Sequence, residues 1–215
     1  MTKFFPKGKL CLMGICLLVA VTSAPVWATP INITISNSSF ESPVLVPPNS
    51  PGYWNGTVQD WTLTGTGGTW SPIPTYYSAV PDGAQVSWLH DGSLSQPVGA
   101  ILTANYTYTL SAYVAQWSGN PTFSVQLLAD NNLLNETTGT ASSKSFDYVQ
   151  VQFTPTSGNP YLGESLTVKL VSSGTENDFD NISLNYAVPL PPTAWLLGSG
   201  LVGLGLLRRK WSLKK

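Results

Sequence analysis

The sequence predicts an all-β fold, a two-sheet sandwich or jelly roll, over residues 29–187. Three observations carry this. Apolar and polar residues alternate with period two, turn signals separate the alternating runs at near-regular spacing, and no stretch offers helical periodicity with caps. Taken in order, Ile31, Ile33 and Ile35 form the first alternating run, followed by a proline- and glycine-rich stretch from Ser42 to Pro81 that reads as long loops. Val86-Ser87-Trp88-Leu89 follows, with His90 at its end beside the Asp91-Gly92 turn. Further runs are Tyr106, Tyr108 and Leu110, then Phe123, Val125 and Leu127, then Val149, Val151 and Phe153, and last Leu166, Val168 and Leu170. Between them stand Ser118-Gly119-Asn120-Pro121, Asp130-Asn131-Asn132 and Ser157-Gly158-Asn159-Pro160, all rich in residues that tolerate or favour turns. Alternation of this kind means one wet and one buried face per strand, the mark of antiparallel sheets packed in layers.

Charge divides the chain into three parts. Eight of the ten Lys and Arg residues lie at the two ends, and all eleven Asp and Glu lie between them, where Lys144 and Lys169 are the only cations. Such an acidic domain repels phosphate backbones, which excludes nucleic-acid binding. At the start, Lys3, Lys7 and Lys9 precede an apolar run from Leu10 to Val21 and a small-residue break at Ala28, the pattern of a cleavable signal peptide over residues 1–28. Cys11 and Cys16 fall inside it, so the exported chain carries no disulfide, thiolate metal site or cysteine nucleophile. At the other end, residues 188–215 read as a proline motif, an apolar run from Ala194 to Leu207 counted as a single membrane-spanning helix, and a basic terminus.

That closing stretch, VPLPPTAWLLGSGLVGLGLLRRK, resembles the PEP-CTERM sorting signal of Gram-negative bacteria in its VPLPA-type form. The resemblance implies a recognition motif at Val188, Pro189, Leu190, Pro191 and Pro192 and stop-transfer charges at Arg208, Arg209 and Lys210. It also implies an exosortase as processing partner. The protein would pass through the inner membrane, be anchored there transiently by its C-terminal segment, and end at the outer surface or outside the cell. Proteins of this kind accompany exopolysaccharide, so the implied role is that of a biofilm-matrix or cell-surface protein with extracellular polysaccharide as a partner.

A second resemblance covers the central domain. Asn37-Ser38-Ser39-Phe40-Glu41, Asp60-Trp61, Pro81-Asp82-Gly83-Ala84-Gln85-Val86, Gly92-Ser93-Leu94-Ser95-Gln96-Pro97, Tyr106-Thr107-Tyr108-Thr109-Leu110 and Phe179-Asp180-Asn181-Ile182-Ser183-Leu184 occur in an order similar to that of galactose-binding-domain-like jelly rolls. The resemblance implies that Glu41 and Asp180 approach each other and help to hold a structural calcium. Aromatic residues stack on sugar rings. Those in the loop-rich stretch, Trp54, Trp70, Tyr76 and Tyr77, are therefore the candidate glycan contacts of an alternative reading, a carbohydrate-binding module, while Trp61 and Trp88 read as core.

Catalysis has few handles in this sequence. His90 is the only histidine, no GxSxG elbow occurs, and Asp178 and Asp180, two apart on one strand face, suit calcium better than a pair of hydrolytic carboxylates. The sequence therefore reads as non-enzymatic.

Overall fold

The computed structural model describes residues 29–45 and 52–188. Nine strands make up the fold: β1 (Ile31–Ile33), β2 (Gly52–Asn55), β3 (Thr62–Ser71), β4 (Val86–Ile101), β5 (Thr107–Ser118), β6 (Thr122–Ala129), β7 (Asn132–Gly139), β8 (Asp147–Phe153) and β9 (Ser165–Ala187). Among the described residues there is no helix, and every pairing between strands is antiparallel. The all-β expectation holds at this level. The signal peptide, the C-terminal helix, Pro189–Pro192 and Arg208–Lys210 lie outside the described residues.

β9 organises the sheet. The main strand order is β2-β3-β4-β9-β5-β8, and β9 also pairs with β1 and with β6, which in turn pairs with β7. Its first half lies between β4 and β6, through Leu170↔Leu94 and Leu170↔Val125. Its second half lies between β4 and β5, through Phe179↔Ser87 and Phe179↔Val114, and β1 takes over from β4 near its end at Leu184↔Ile33. One strand of 23 residues thus pairs with β1, β4, β5 and β6.

Two sequence expectations change here. The stretch read as loops from Ser42 to Pro81 contains β2 and β3, whose Gly, Thr and Trp residues lack simple alternation because the pairing slips between Thr64 and Thr66. Asp91-Gly92 does not end a strand. It is a bulge inside β4, with Asp91 at φ 41° and the register against β9 shifting between His90 and Gly92.

That bulge sets which side chains face the core. In β9, Leu166, Val168 and Leu170 point into the main core at even positions. After the irregular stretch opposite His90/Gly92 the phase inverts, so Phe179 enters the core while Glu176, Asp178 and Asp180 turn away from it. A second slip near Asn181, at φ 49°, restores the even phase for Ile182 and Leu184. β4 changes phase in the same place, with Leu94 and Leu89 in the main core and Val86 and Trp88 in a second apolar cluster on the opposite face.

Phe179 is wholly buried in the main core. Replacing it by Ala is expected to cost about 3–5 kcal/mol in urea unfolding, whereas Leu133→Ala, on an exposed position of β7, should stay within about 0.5 kcal/mol.

Candidate active site

The second cluster is built on the outer face of the β3-β4-β9-β5 sheet. Trp70 from β3, Val86 and Trp88 from β4, and Ala115 from β5 form its base, with Trp117 beside them. The connection from β3 to β4 folds back over this face. A turn in which Ile73 O accepts from the Tyr76 and Tyr77 amides, at 2.8 and 3.3 Å, places both tyrosines on the base, and Phe146 closes one side. The rings meet edge to face: Tyr76 and Trp117 have centroids 4.7 Å apart at 82°, and Trp70 and Trp117 are 5.9 Å apart at 79°.

Beneath these rings sits Asp178, with no exposed surface. The Trp70 indole N–H donates to its Oδ1 at 3.1 Å, and the Tyr77 hydroxyl donates to Oδ2. Burial drives the Asp178 carboxyl well above the ordinary aspartate range, and the neighbouring Glu176 charge pushes it further. The hydrogen bonds from Tyr77 and Trp70 oppose this without reversing it. Burial, and then Asp178 itself, raises the Tyr77 phenol as well. Both shifts favour the protonated form of the pair. A carboxylic acid held neutral in an apolar setting is a proton donor rather than a base.

Above the acid opens a cavity of about 460 Å³, lined by Tyr53, Trp70, Tyr76, Trp88 and Trp117 and by His90 and Glu176. His90 Nε2 lies 2.7 Å from Glu176 Oε2, and the Trp88 ring stands edge-on to the imidazole at 5.2 Å. Lys144 Nζ lies over the Trp117 ring, 5.4 Å from its centroid. The Trp88 indole N–H is buried without a partner. Aromatic faces attract cations, and their bulk keeps water away from an apolar guest. The arrangement can thus donate a proton to an apolar molecule and shelter the cation that results.

A separate acidic group lies farther along the same face. Asp180 Oδ2 accepts from the Asp82 amide at 2.9 Å, and Glu41 Oε1 accepts from the amides of Ala84 and Gln85 at 2.8 and 2.6 Å. Burial raises the Asp180 carboxyl to about 8. The two amide hydrogen bonds oppose this, and the Asp82 and Glu41 charges add to it. Glu41 and Asp180 are thus brought together around the 82–85 turn. Their oxygens are engaged by N–H groups, and among the described residues no trio of His, Cys, Asp or Glu is spaced to hold a metal.

Among the aromatic residues singled out from the sequence, Trp54 is exposed on β2, Tyr76 is half-buried in the cavity wall, and Trp70 and Tyr77 are buried against Asp178. Trp61 packs against Phe40 in the main core, and Trp88 is buried but faces the cavity. His90 is not a turn residue, since it lies within β4 and on the cavity wall. Sequence reasoning missed Glu176 and Tyr53 and misassigned Asp178. The run Glu176-Asn177-Asp178-Phe179-Asp180 did hold a signal, three acids on one face flanking a core Phe, but nothing in it separates Asp178 from Asp180.

A family model described as HpiC1-like, HpiC1 cyclase, matches residues 31–185. No curated protein matches the chain. Among solved structures, a cyclase from Fischerella sp. TAU in complex with 4-(1H-indol-3-yl)butan-2-one is 25% identical, with a TM-score of 0.66 over 75% of this chain and 99% of that one. The Stig cyclase Fisc from the same source, in complex with (3Z)-3-(1-methyl-2-pyrrolidinylidene)-3H-indole, is 24% identical with a TM-score of 0.65, covering 76% of this chain and 100% of that one. TmCBM61 in complex with beta-1,4-galactotriose, at 13% identity and TM-score 0.51 over 72% and 97% of the two chains, shows likeness of fold alone.

These matches correct the sequence reading. The central domain is not the non-enzymatic passenger of a PEP-CTERM protein, and the exosortase, polysaccharide and biofilm roles drawn from the tail fall with that recognition. The family model covers nearly all of the described residues and describes a cyclase. The signal was missed because the tail's short pattern was read as defining the entire protein. By the match over residues 31–185, the chain belongs to the HpiC1-like cyclase family.

Proposed function

We propose that this protein is an acid-promoted cyclase acting on an apolar, indole-bearing small molecule. One observation carries the reading: a wholly buried carboxyl, held neutral and hydrogen-bonded to Trp70 and Tyr77, at the base of an aromatic cavity. Family membership supports cyclisation as the reaction, and the indole guest of the Fischerella cyclase supports the substrate class. In this mechanism Asp178 supplies the proton that starts the reaction. The rings of Trp70, Tyr76, Trp88 and Trp117 stabilise the cation and fold the chain for ring closure, by stacking on it and keeping water out.

Residues 1–28 act as an export signal and residues 29–187 as the catalytic domain in this proposal. It also includes a structural calcium at Glu41 and Asp180. Its support is the facing charges of Glu41, Asp82 and Asp180, whose repulsion a cation would relieve. The ion's part would be to hold the 82–85 turn, with no role in proton transfer.

Two outcomes test these assignments. With a 3-alkenylindole as substrate, the protein should yield a ring-closed isomer of unchanged mass, and Asp178→Asn should lower kcat/KM by about 10²–10⁴-fold, read by chromatography and NMR. An unchanged rate in that variant would sink the acid role.

The second outcome concerns stability. Because folding raises the Asp180 pKa from 3.8 to about 8, its neutral form is the one favoured in the fold. The contribution is full below about pH 4 and is lost as pH rises towards 8, by at most about 1.4 kcal/mol per pH unit. In chelator, the melting temperature should fall across this window, and Asp180→Asn should flatten the fall. Added calcium should restore the wild type at the upper end. No effect of calcium on either protein would remove the ion from the account.

A further inference from the structure

Asp178 has no surface of its own in the cavity, and the residue of β9 that reaches the cavity wall is Glu176. It lies two positions earlier on the same outward face, and its carboxyl group shares a hydrogen bond with Asp178. On its other side His90 Nε2 stands 2.7 Å from Glu176 Oε2. The His90 side chain is 44% exposed and that of Glu176 18%. Asp178, Glu176 and His90 therefore form a continuous line from the buried acid to solvent, with the carboxylate in the middle touching the cavity.

A ring closure begun by protonation must end by losing a proton, and the acid must recover the one it gave. We propose that Glu176, positioned by His90, is the base that takes the terminal proton from the cyclised cation and returns it to Asp178. The step balances without an oxidant or reductant. The Asp178 O–H bond breaks as its proton passes to the Glu176 carboxylate, and the Glu176 O–H bond so formed breaks as a new C–H bond forms on the substrate. A π-electron pair then closes the C–C bond onto the cationic carbon. The adjacent C–H bond of the cyclised cation breaks, its electrons restore the double bond, and its proton goes to Glu176. Proton transfer between the two hydrogen-bonded carboxyl groups resets the site. His90 is a positioning residue here: its contact fixes which way the Glu176 carboxylate faces, and the Trp88 edge limits the swing of the imidazole.

This inference rests on Asp178 being the acid, and the test separates the two. In D₂O, the full chain is mixed with 4-(1H-indol-3-yl)butan-2-one and deuterium entry at the indole C2 is followed by NMR. Each exchange requires one protonation and one deprotonation within the site, so no natural substrate is needed. The wild type should exchange above background and Asp178→Asn should be silent. Glu176→Gln should exchange at least about 10-fold more slowly with the probe's calorimetric affinity within about twofold, and Glu176→Asp should recover part of the rate. His90→Gln should slow exchange less than Glu176→Gln, again without loss of affinity. If Glu176→Gln exchanges like the wild type while Asp178→Asn is silent, the base assignment is overturned and the acid stands. If Asp178→Asn exchanges normally, or the wild type binds the probe without exchanging it, the acid reading falls and this inference with it.

Discussion

The burial of one carboxyl group between Trp70 and Tyr77 is the constraint on which the rest of the site depends. Taking an aspartate wholly out of water costs several kcal/mol if it stays charged, and the group avoids that cost by keeping its proton. The two hydrogen bonds hold both oxygens in place without supplying a countercharge. Among the described residues no Lys or Arg donates to Asp178, and Lys144, one of only two cations in residues 29–187, lies over the Trp117 ring. A cation beside Asp178 would have favoured the carboxylate and removed the acid. The scarcity of basic residues, read from the sequence as a bar to nucleic acid, thus has a local consequence at the site.

A similar fold holds beta-1,4-galactotriose in TmCBM61, so the fold does not decide between a sugar-binding face and a reactive one. The placement of the rings does. A sugar platform needs aromatic faces open to solvent with polar groups at their edges. Here Trp70 and Tyr77 direct their polar ends inward to Asp178 and close over it, leaving a concave, largely hydrocarbon wall above. Trp54, the most exposed of the four aromatics expected to meet a glycan, does not line the cavity.

Much of the fold was legible because five alternating runs fall within β1, β5, β6, β8 and β9 or at their edges, and Asp130-Asn131 marks the β6–β7 hairpin. β3 was not legible, since Gly65, Gly67 and Gly68 read as loop. At Gly68 a Cβ would lie 1.8 Å from the Trp54 carbonyl oxygen, so glycine there is required by the close approach of β2 and not by a turn. The site was harder to read. Alternation alone carries Leu166, Val168 and Leu170 forward into Ser172, and it cannot register the inversion of phase that sends Phe179 inward and Asp178 outward. His90 seemed isolated in sequence because its partner lies 86 residues away. Long-range pairing made the site, and a single sequence does not display it.

The two acidic groups on the outer face of β9 act on the same loop. Asp178 holds Tyr77 in its middle, while two residues on Asp180 holds the Asp82 amide near its end, and Glu41 holds the next two amides, at Ala84 and Gln85. The Gln85 side chain, itself buried, then donates to the Phe40 carbonyl at 2.7 Å, and Phe40 adopts φ 58°, a backbone conformation rare for a bulky residue, while wholly buried in the core. The loop that covers the acid is therefore clamped at its far end to the main core. Loosening that clamp would free Tyr77, admit water to Asp178 and lower the cost of ionising it, so a change more than a residue's length from the cavity would first be felt as a loss of the protonated form. The stability of the clasp and the chemistry of the cavity are, in this architecture, two readings of one strand's alternation.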